Sequence, residues 1–275
     1  MGFWYEWRHS IGSNDSYKPS FKETIFKMKI INQEKFKKLP DSIFFDMDNT
    51  LYHYDPANNE AMKAVRNKIV NRFGIKDKDF DTAFNEARKI IKIQLGDVAS
   101  SHSRLLYFEK MFEIMGLKSQ ALLSLELERT YWRIFLKNAI LFDGVKNLLD
   151  DIRILGIPMI IVTDLTAQIQ FKKVIYFNLD SYFDFIVTSE ESGLDKPHPS
   201  SFELAVKKNQ SKSDCVWMIG DNPKNDIYGA RNSINAICIQ KIHNGVEIGK
   251  GLQKPDAYFK RFSELQSLLK RLKKN

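Results

Sequence analysis

Five short runs of apolar residues, rich in β-branched and aromatic types, constrain this chain more than any other feature: residues 42–45, 158–162, 185–188, 216–219 and 236–239. Runs of this length read as strands buried on both faces. Helical patterns separate the later ones, which implies strands that all run the same way, joined by helices that cover both sides of the sheet. The expected class is α/β, with a parallel Rossmann-like sheet as its core.

A long helical stretch lies between the first run and the second. Asn58 or Asn59 is placed to cap a helix whose apolar positions Ala61, Met62, Val65, Ile69 and Phe73 recur every three or four residues up to Gly74. Three further helices are expected over 80–95, 103–115 and 120–136. An all-helical unit inserted after a strand's carboxyl end sits over the crevice where open α/β sheets take their ligands. The expected division is a basic extension over 1–40, with one short helix near 21–36, a core over 41–56 and 140–275, and a helical cap over 57–139. An extended piece over 254–259 and an amphipathic helix presenting Phe262, Leu265, Leu268, Leu269 and Leu272 complete the core.

Composition narrows the classes of function. A hydrophobic fraction of 43% excludes a disordered chain. No apolar run approaches the ~18 residues that span a bilayer, so no membrane is expected, and none near the start has the length of a signal peptide. Cys215 and Cys238 supply neither a disulfide framework nor a zinc site, which fits a cytoplasmic setting. The net charge of +8 raises polyanions as partners. Residues 1–40, however, hold seven Lys and one Arg against four acids, and residues 260–275 hold six bases against Glu264, which leaves 41–259 at −1. The basic character belongs to the two ends, and nucleic acid is not the expected partner of the body.

The chemistry sits where the runs stop. The first delivers Asp46-Met47-Asp48-Asn49-Thr50, whose two carboxylates, one residue apart, alternation sends the same way. Acids this close repel each other unless a cation or a shared proton relieves them. Taken alone the pattern fits a solvated turn with a helix cap equally well. The run at 216–219 delivers Gly220-Asp221-Asn222-Pro223-Lys224-Asn225-Asp226, and parallel strands place both acidic sets on one edge of the sheet. Such an oxygen-rich cluster suits Mg²⁺. The run at 158–162 is followed by Thr163, and the one at 185–188 by Lys196: a hydroxyl and an ammonium of the kind a phosphoryl group needs beside a metal.

These four motifs, in this order, resemble those of the haloacid dehalogenase-like superfamily, over roughly residues 42–270 and including the helical cap after the first motif. The resemblance implies that Asp46 is a nucleophile forming an aspartyl-phosphate and that Asp48 protonates the leaving group and later activates water. It implies that Thr163 and Lys196 hold the phosphoryl oxygens. Asp46, the backbone carbonyl of Asp48, and Asp221 are then the Mg²⁺ ligands, with Asp226 in support. A halide leaves without a proton whereas an alkoxide needs one, so Asp48 favours a phosphatase over a dehalogenase. The substrate implied is a small phosphorylated metabolite: a sugar phosphate, an acylneuraminate phosphate or a nucleotide.

Alternatives stand beside this reading. A phosphomutase or other phosphotransferase passes the same phosphoryl group to a hydroxyl, a phosphonate hydrolase needs a cap lysine such as Lys63, and a non-catalytic protein uses its basic termini to bind nucleic acid or protein. The sequence leaves the oligomeric state open. Asp164, where this family often has Asn, is read as the cap of a helix beginning near Thr166 in preference to an inward group that binds a substrate hydroxyl or ammonium. His53 and Tyr54 fit a substrate contact or a hinge, and His198 a loop. The cap aromatics Phe73, Phe84, Phe112, Tyr131 and Trp132 are read as bundle core.

Overall fold

Seven strands form one sheet in the computed structural model, which describes residues 28–210 and 214–274. They are β1 (Lys29–Ile30), β2 (Ser42–Phe45), β3 (Met159–Thr163), β4 (Phe185–Thr188), β5 (Val216–Gly220), β6 (Ile237–Lys241) and β7 (Ala257–Phe259), ordered β1-β7-β6-β5-β2-β3-β4. Every neighbouring pair is parallel except β1 with β7. From β2 the chain steps outward through β3 and β4 on one side and through β5, β6 and β7 on the other. The carboxyl ends of β2 and β5 therefore flank the point where strand order reverses, and a crevice opens there.

Period-two alternation sorts the strand residues between two apolar layers. Ile43, Phe45, Ile161, Trp217 and Ile219 face one layer, closed by α5 (Val145–Ile154) and α10 (Phe262–Lys273). Phe44, Ile160, Val162 and Met218 face the other, closed by α8 (Ser200–Asn209) and α9 (Gly229–Ile234). Each such side chain is buried, a gain of about 1.5–3 kcal/mol for a large apolar residue. Among the described residues no helix is long and apolar enough to cross a membrane. Cys215 and Cys238 are buried, unpaired thiols.

Between β2 and β3 come α1 (Tyr54–Phe73), α2 (Asp77–Leu95), α3 (Arg104–Ile114) and α4 (Ala121–Asn138); α1 packs along α4 and α2 along α3. Gly74 ends α1 in the left-handed region at φ 66°, its N–H returning to Val70 O at 2.8 Å. The start of α1 differs from expectation. The helix begins at Tyr54, because Asn49 Oδ1 accepts the Tyr54 N–H at 3.0 Å and Pro56 falls in the first turn, where a missing N–H costs nothing. Asn58 is no cap: its Oδ1 accepts from the Tyr131 hydroxyl at 2.7 Å and ties α1 to α4.

The N-terminal extension also differs. Of the helix expected near 21–36, residues 21–27 lie outside the described residues; the remainder forms β1 and a single 3₁₀ turn at Gln33–Lys35. The Phe36 ring is buried 5.4 Å from that of Trp217. Lys35 Nζ, at 3.0 Å, and the Asn32 amide both reach the buried Asp256 carboxylate, so this segment belongs to the sheet's edge.

Candidate active site

Asp46 and Asp221 leave adjacent strands side by side, since Phe45 pairs with Ile219 in register and each acid follows its strand at the switch point. Lys196 follows β4 and the short α7 (Ser189–Ser192) and reaches Asp46. Its Nζ donates to Asp46 Oδ1 at 2.7 Å, to Asp226 Oδ1 at 2.7 Å and to Val162 O at 2.9 Å. Burial opposes this ammonium, but Asp226, Asp46 and Asp164 outweigh it and hold the group charged. Burial pushes the Asp46 carboxyl up to about 6, with Lys196 pulling against that rise. The Thr50 hydroxyl donates to Asp46 Oδ2 at 2.7 Å and accepts the Asp221 N–H at 3.0 Å, which locks the two acidic loops together. Thr163 stands at the end of β3, its hydroxyl accepting from Gln170 Nε2 at 2.8 Å.

Asp48 has a partner that the sequence did not suggest. Lys173, on α6 (Ala167–Tyr176), places Nζ 2.8 Å from both Asp48 oxygens, and the Tyr52 hydroxyl donates to Oδ1 at 2.7 Å. The Lys173 side chain is 0% exposed and lies 5.6–5.7 Å from the ring centres of Tyr52, Trp132 and Phe135. Burial and the Asp48 charge hold Tyr52 in its phenol form. Lys173 sits in an otherwise ordinary amphipathic helix, and no local pattern marks it.

Asp46, Asp221 and Asp226 each offer an oxygen within 4.8 Å of the others. Burial, and the charge of a neighbouring carboxylate, raise the Asp221 and Asp226 carboxyls above their ordinary range, while His243 and Lys196 oppose the rise. A donor set made only of carboxylate oxygens fits a hard cation such as Mg²⁺. His243 was also unforeseen; its Nε2 lies 3.1 Å from Asp221 Oδ2 and fixes that carboxylate. Gly220 is required by close approach, because a Cβ there would fall 2.4 Å from the Asp226 side chain.

A cavity of about 260 Å³ opens over this edge. Asp46, Asp48, Thr163, Lys196, Asp221 and Asp226 line its floor, so all six residues singled out in the sequence come together there. Tyr54, His102, Arg104 and Trp132 line it from the inserted helices and their connections. Trp132 is thus wall as well as bundle core. Asp164 corrects the expectation of a helix cap: its Oδ1 accepts the Lys196 N–H at 2.8 Å and it lines the cavity, its carboxyl pushed by burial up to about 7. The first turn of α6 is served instead by Glu190, which accepts the Ala167 N–H at 2.8 Å. His53 packs on Phe142, and His198 bonds Ser200 in its loop. Lys63 is exposed on α1 and does not line the cavity, which removes the support for a Schiff-base phosphonate hydrolase.

Comparison with known proteins identifies the family. A ribulose-1,5-bisphosphate 5-phosphatase of Halopiger xanaduensis is 32% identical over 203 residues, 73% of this chain and 83% of that one. A glyceraldehyde 3-phosphate phosphatase of Pyrococcus furiosus is 30% identical over 193 residues, 69% of this chain and 76% of that one. The fold is shared with a magnesium-bound haloacid dehalogenase-like hydrolase from Bacillus subtilis, at a TM-score of 0.65 and 19% identity over 85% of this chain and all of that one. The family model for haloacid dehalogenase-like hydrolases matches residues 40–233, a span that carries every one of the six floor residues. The chain belongs to the haloacid dehalogenase-like hydrolase family.

Proposed function

We propose that this chain is a Mg²⁺-dependent phosphatase that hydrolyses a small phosphorylated metabolite through an aspartyl-phosphate on Asp46, with α1–α4 acting as its cap. The observation that carries the reading is the pair of Asp46 and Lys196, an attacking carboxylate held 2.7 Å from a buried ammonium at the floor of the cavity. A carboxylate approaches a doubly negative phosphate ester only where positive charge screens the encounter. The two relatives above are named as phosphatases of compact phosphorylated sugars, which supports this class of substrate.

In this reading an Asp46 oxygen attacks phosphorus and the ester P–O bond breaks. The leaving alkoxide takes a proton from Asp48. Thr163 and Lys196 donate to the phosphoryl oxygens as charge moves onto them. Asp48 then takes a proton from water as that water attacks phosphorus, the acyl-phosphate P–O bond breaks, and the Asp46 carboxylate and inorganic phosphate are released. Asp46, the Asp48 carbonyl and Asp221 would hold Mg²⁺, with Asp226 beside them; bound there, it supplies charge neutralisation to the phosphoryl group.

The test is phosphate release from a panel of sugar phosphates, nucleotides and acid phosphates, with and without Mg²⁺, using Asp46→Asn as the control. Mg²⁺-dependent release that the variant loses is the expected result. Activity retained in Asp46→Asn rejects the mechanism, and an isomerised phosphate without net release marks a phosphotransferase.

A further inference from the structure

The side of the cavity facing the sheet edge carries a cation that the chemistry of that edge does not use. Arg104, the first residue of α3, is half-buried and lines the cavity from the inserted helices. Its polar contacts among the described residues are all to uncharged oxygens: Nη1 donates to His102 O at 2.9 Å, and Nη2 donates to the hydroxyls of Tyr54 at 2.5 Å and Tyr131 at 3.3 Å. Three rings surround it, those of Tyr131, Tyr107 and Trp132, at 5.0–5.8 Å from the guanidinium carbon. A guanidinium withdrawn from water normally meets a carboxylate or a phosphate, whose planar or tetrahedral oxygens match its fork.

Further cations stand on the neighbouring helix. Lys92 and Arg88 on α2 stand near Arg104; burial, then Arg88 and Arg104, depress the Lys92 ammonium, while Asp195 and Asp97 oppose that effect. His102, beside Arg104 in the chain's connection, is turned to an acid: its Nε2 lies 2.9 Å from the Asp195 carboxylate. On the floor, the one ammonium that meets Asp46 is also bonded to Asp226. The cavity is therefore lined by two separate cations, Lys196 from the sheet edge and Arg104 from the inserted helices.

We infer that Arg104 binds a second anionic group of the substrate, a phosphate or carboxylate remote from the ester that is cleaved, so that doubly anionic metabolites are the preferred substrates. The inference rests on the phosphatase reading above. Contacts to Tyr54, Tyr131 and the His102 carbonyl hold the guanidinium in place before the ligand arrives, which lowers the ordering cost of binding. A cavity of about 260 Å³ lies below the ~300–1,000 Å³ typical of drug-sized ligands and suits a chain of a few carbons between the two anions.

Two substrate pairs test this, each differing only in the remote group: ribulose 1,5-bisphosphate against ribulose 5-phosphate, and 3-phosphoglycerate against glyceraldehyde 3-phosphate. The expected result is a preference of about tenfold or more in kcat/KM for the doubly anionic member of at least one pair, read mainly in KM; the pair that shows it tells phosphate from carboxylate. Arg104→Gln collapses that ratio, and Arg104→Lys retains part of it. Members of both pairs turned over within about twofold of each other by the unmodified protein, or a ratio unmoved by Arg104→Gln, overturn the inference. Absence of phosphate release from all four and from p-nitrophenyl phosphate overturns the phosphatase reading itself.

Discussion

Lys173 holds both carboxylate oxygens of Asp48 at 2.8 Å from a side chain that is fully enclosed, so the second acid of the first motif is oriented by a helix that enters the chain after β3. A charge is placed among aromatic rings, at a desolvation cost, in order to fix another charge at the cavity wall. The arrangement has a measurable consequence. Lys173→Met fills the same space without a charge but leaves the Asp48 carboxylate without its counter-ion, so thermal stability is expected to fall. Asp48, freed from its anchor, loses its orientation, and kcat is expected to fall about 10- to 100-fold with KM changed by less than about threefold. Steady-state kinetics alongside a melting curve separate these effects, and a fall in KM affinity without a fall in kcat would reject the positioning role.

Asp164 provides a pH-dependent test. Its carboxyl is pushed from 3.8 up to about 7 by burial, so the folded chain binds that proton more tightly than the unfolded chain does. This group therefore costs no stability below about pH 4; its cost grows as pH rises from about 4 to about 7, where only the unfolded chain is ionised, and stays constant above that. Asp164→Asn keeps an oxygen to accept the Lys196 N–H and removes the titration. The variant is expected to melt higher than its parent at pH 8 and equally at pH 4. Equal melting temperatures at both pH values would show that the carboxylate is well solvated in the folded chain.

The carboxylate cluster predicts metal-linked stability. Mg²⁺ at about 100 times its dissociation constant is expected to stabilise the fold by about 2.7 kcal/mol, seen as a rise in melting temperature that EDTA reverses. Asp221→Asn removes most of that rise. Protons compete for the same oxygens, since Asp46 titrates at about 6 and burial also raises Asp221 and Asp226. More Mg²⁺ is therefore needed for half the effect at pH 5.5 than at pH 7.5. A melting temperature indifferent to Mg²⁺ at both pH values counts against this site.

Asp256 ties the edge strand to the core. Burial alone would raise its carboxyl, but it accepts the Cys238 N–H at 2.9 Å and bonds from Asn32, Lys35 and Arg231, which together hold it below the ordinary carboxylate range. The stability it confers is present at neutral pH and is lost as pH falls through that depressed value. Asp256→Ala strands these donors and is expected to cost about 3–5 kcal/mol in chemical denaturation at pH 7. A loss under about 1 kcal/mol would mean that water replaces the carboxylate.

Much of the fold and of the site was legible in the sequence because the information is local. A buried strand is a short apolar run, and a run that stops at Asp46 or at Gly220-Asp221 announces a carboxylate at a strand's end. Parallel order then brings Asp46, Asp48, Thr163, Lys196, Asp221 and Asp226 to one edge without any side-chain contact being known. Helix stops such as Gly74 were equally plain, since only the left-handed region at φ 66° ends α1 there.

What tertiary structure alone decided are the partners, because a partner depends on which distant surfaces meet. Asp164 reads locally as a helix cap, yet Lys196, 32 residues on, takes its carboxylate. Asp48 and Lys173 are 125 residues apart, and nothing in α6 distinguishes that lysine until packing buries it. The same holds for Arg104, an ordinary basic residue in sequence that the packing of α1–α4 brings to the cavity. The sequence by itself determined the order of the strands' chemistry and the class of reaction; the tertiary structure decided how each charge is held, because burial removes water and leaves every ion to find its partner in the protein.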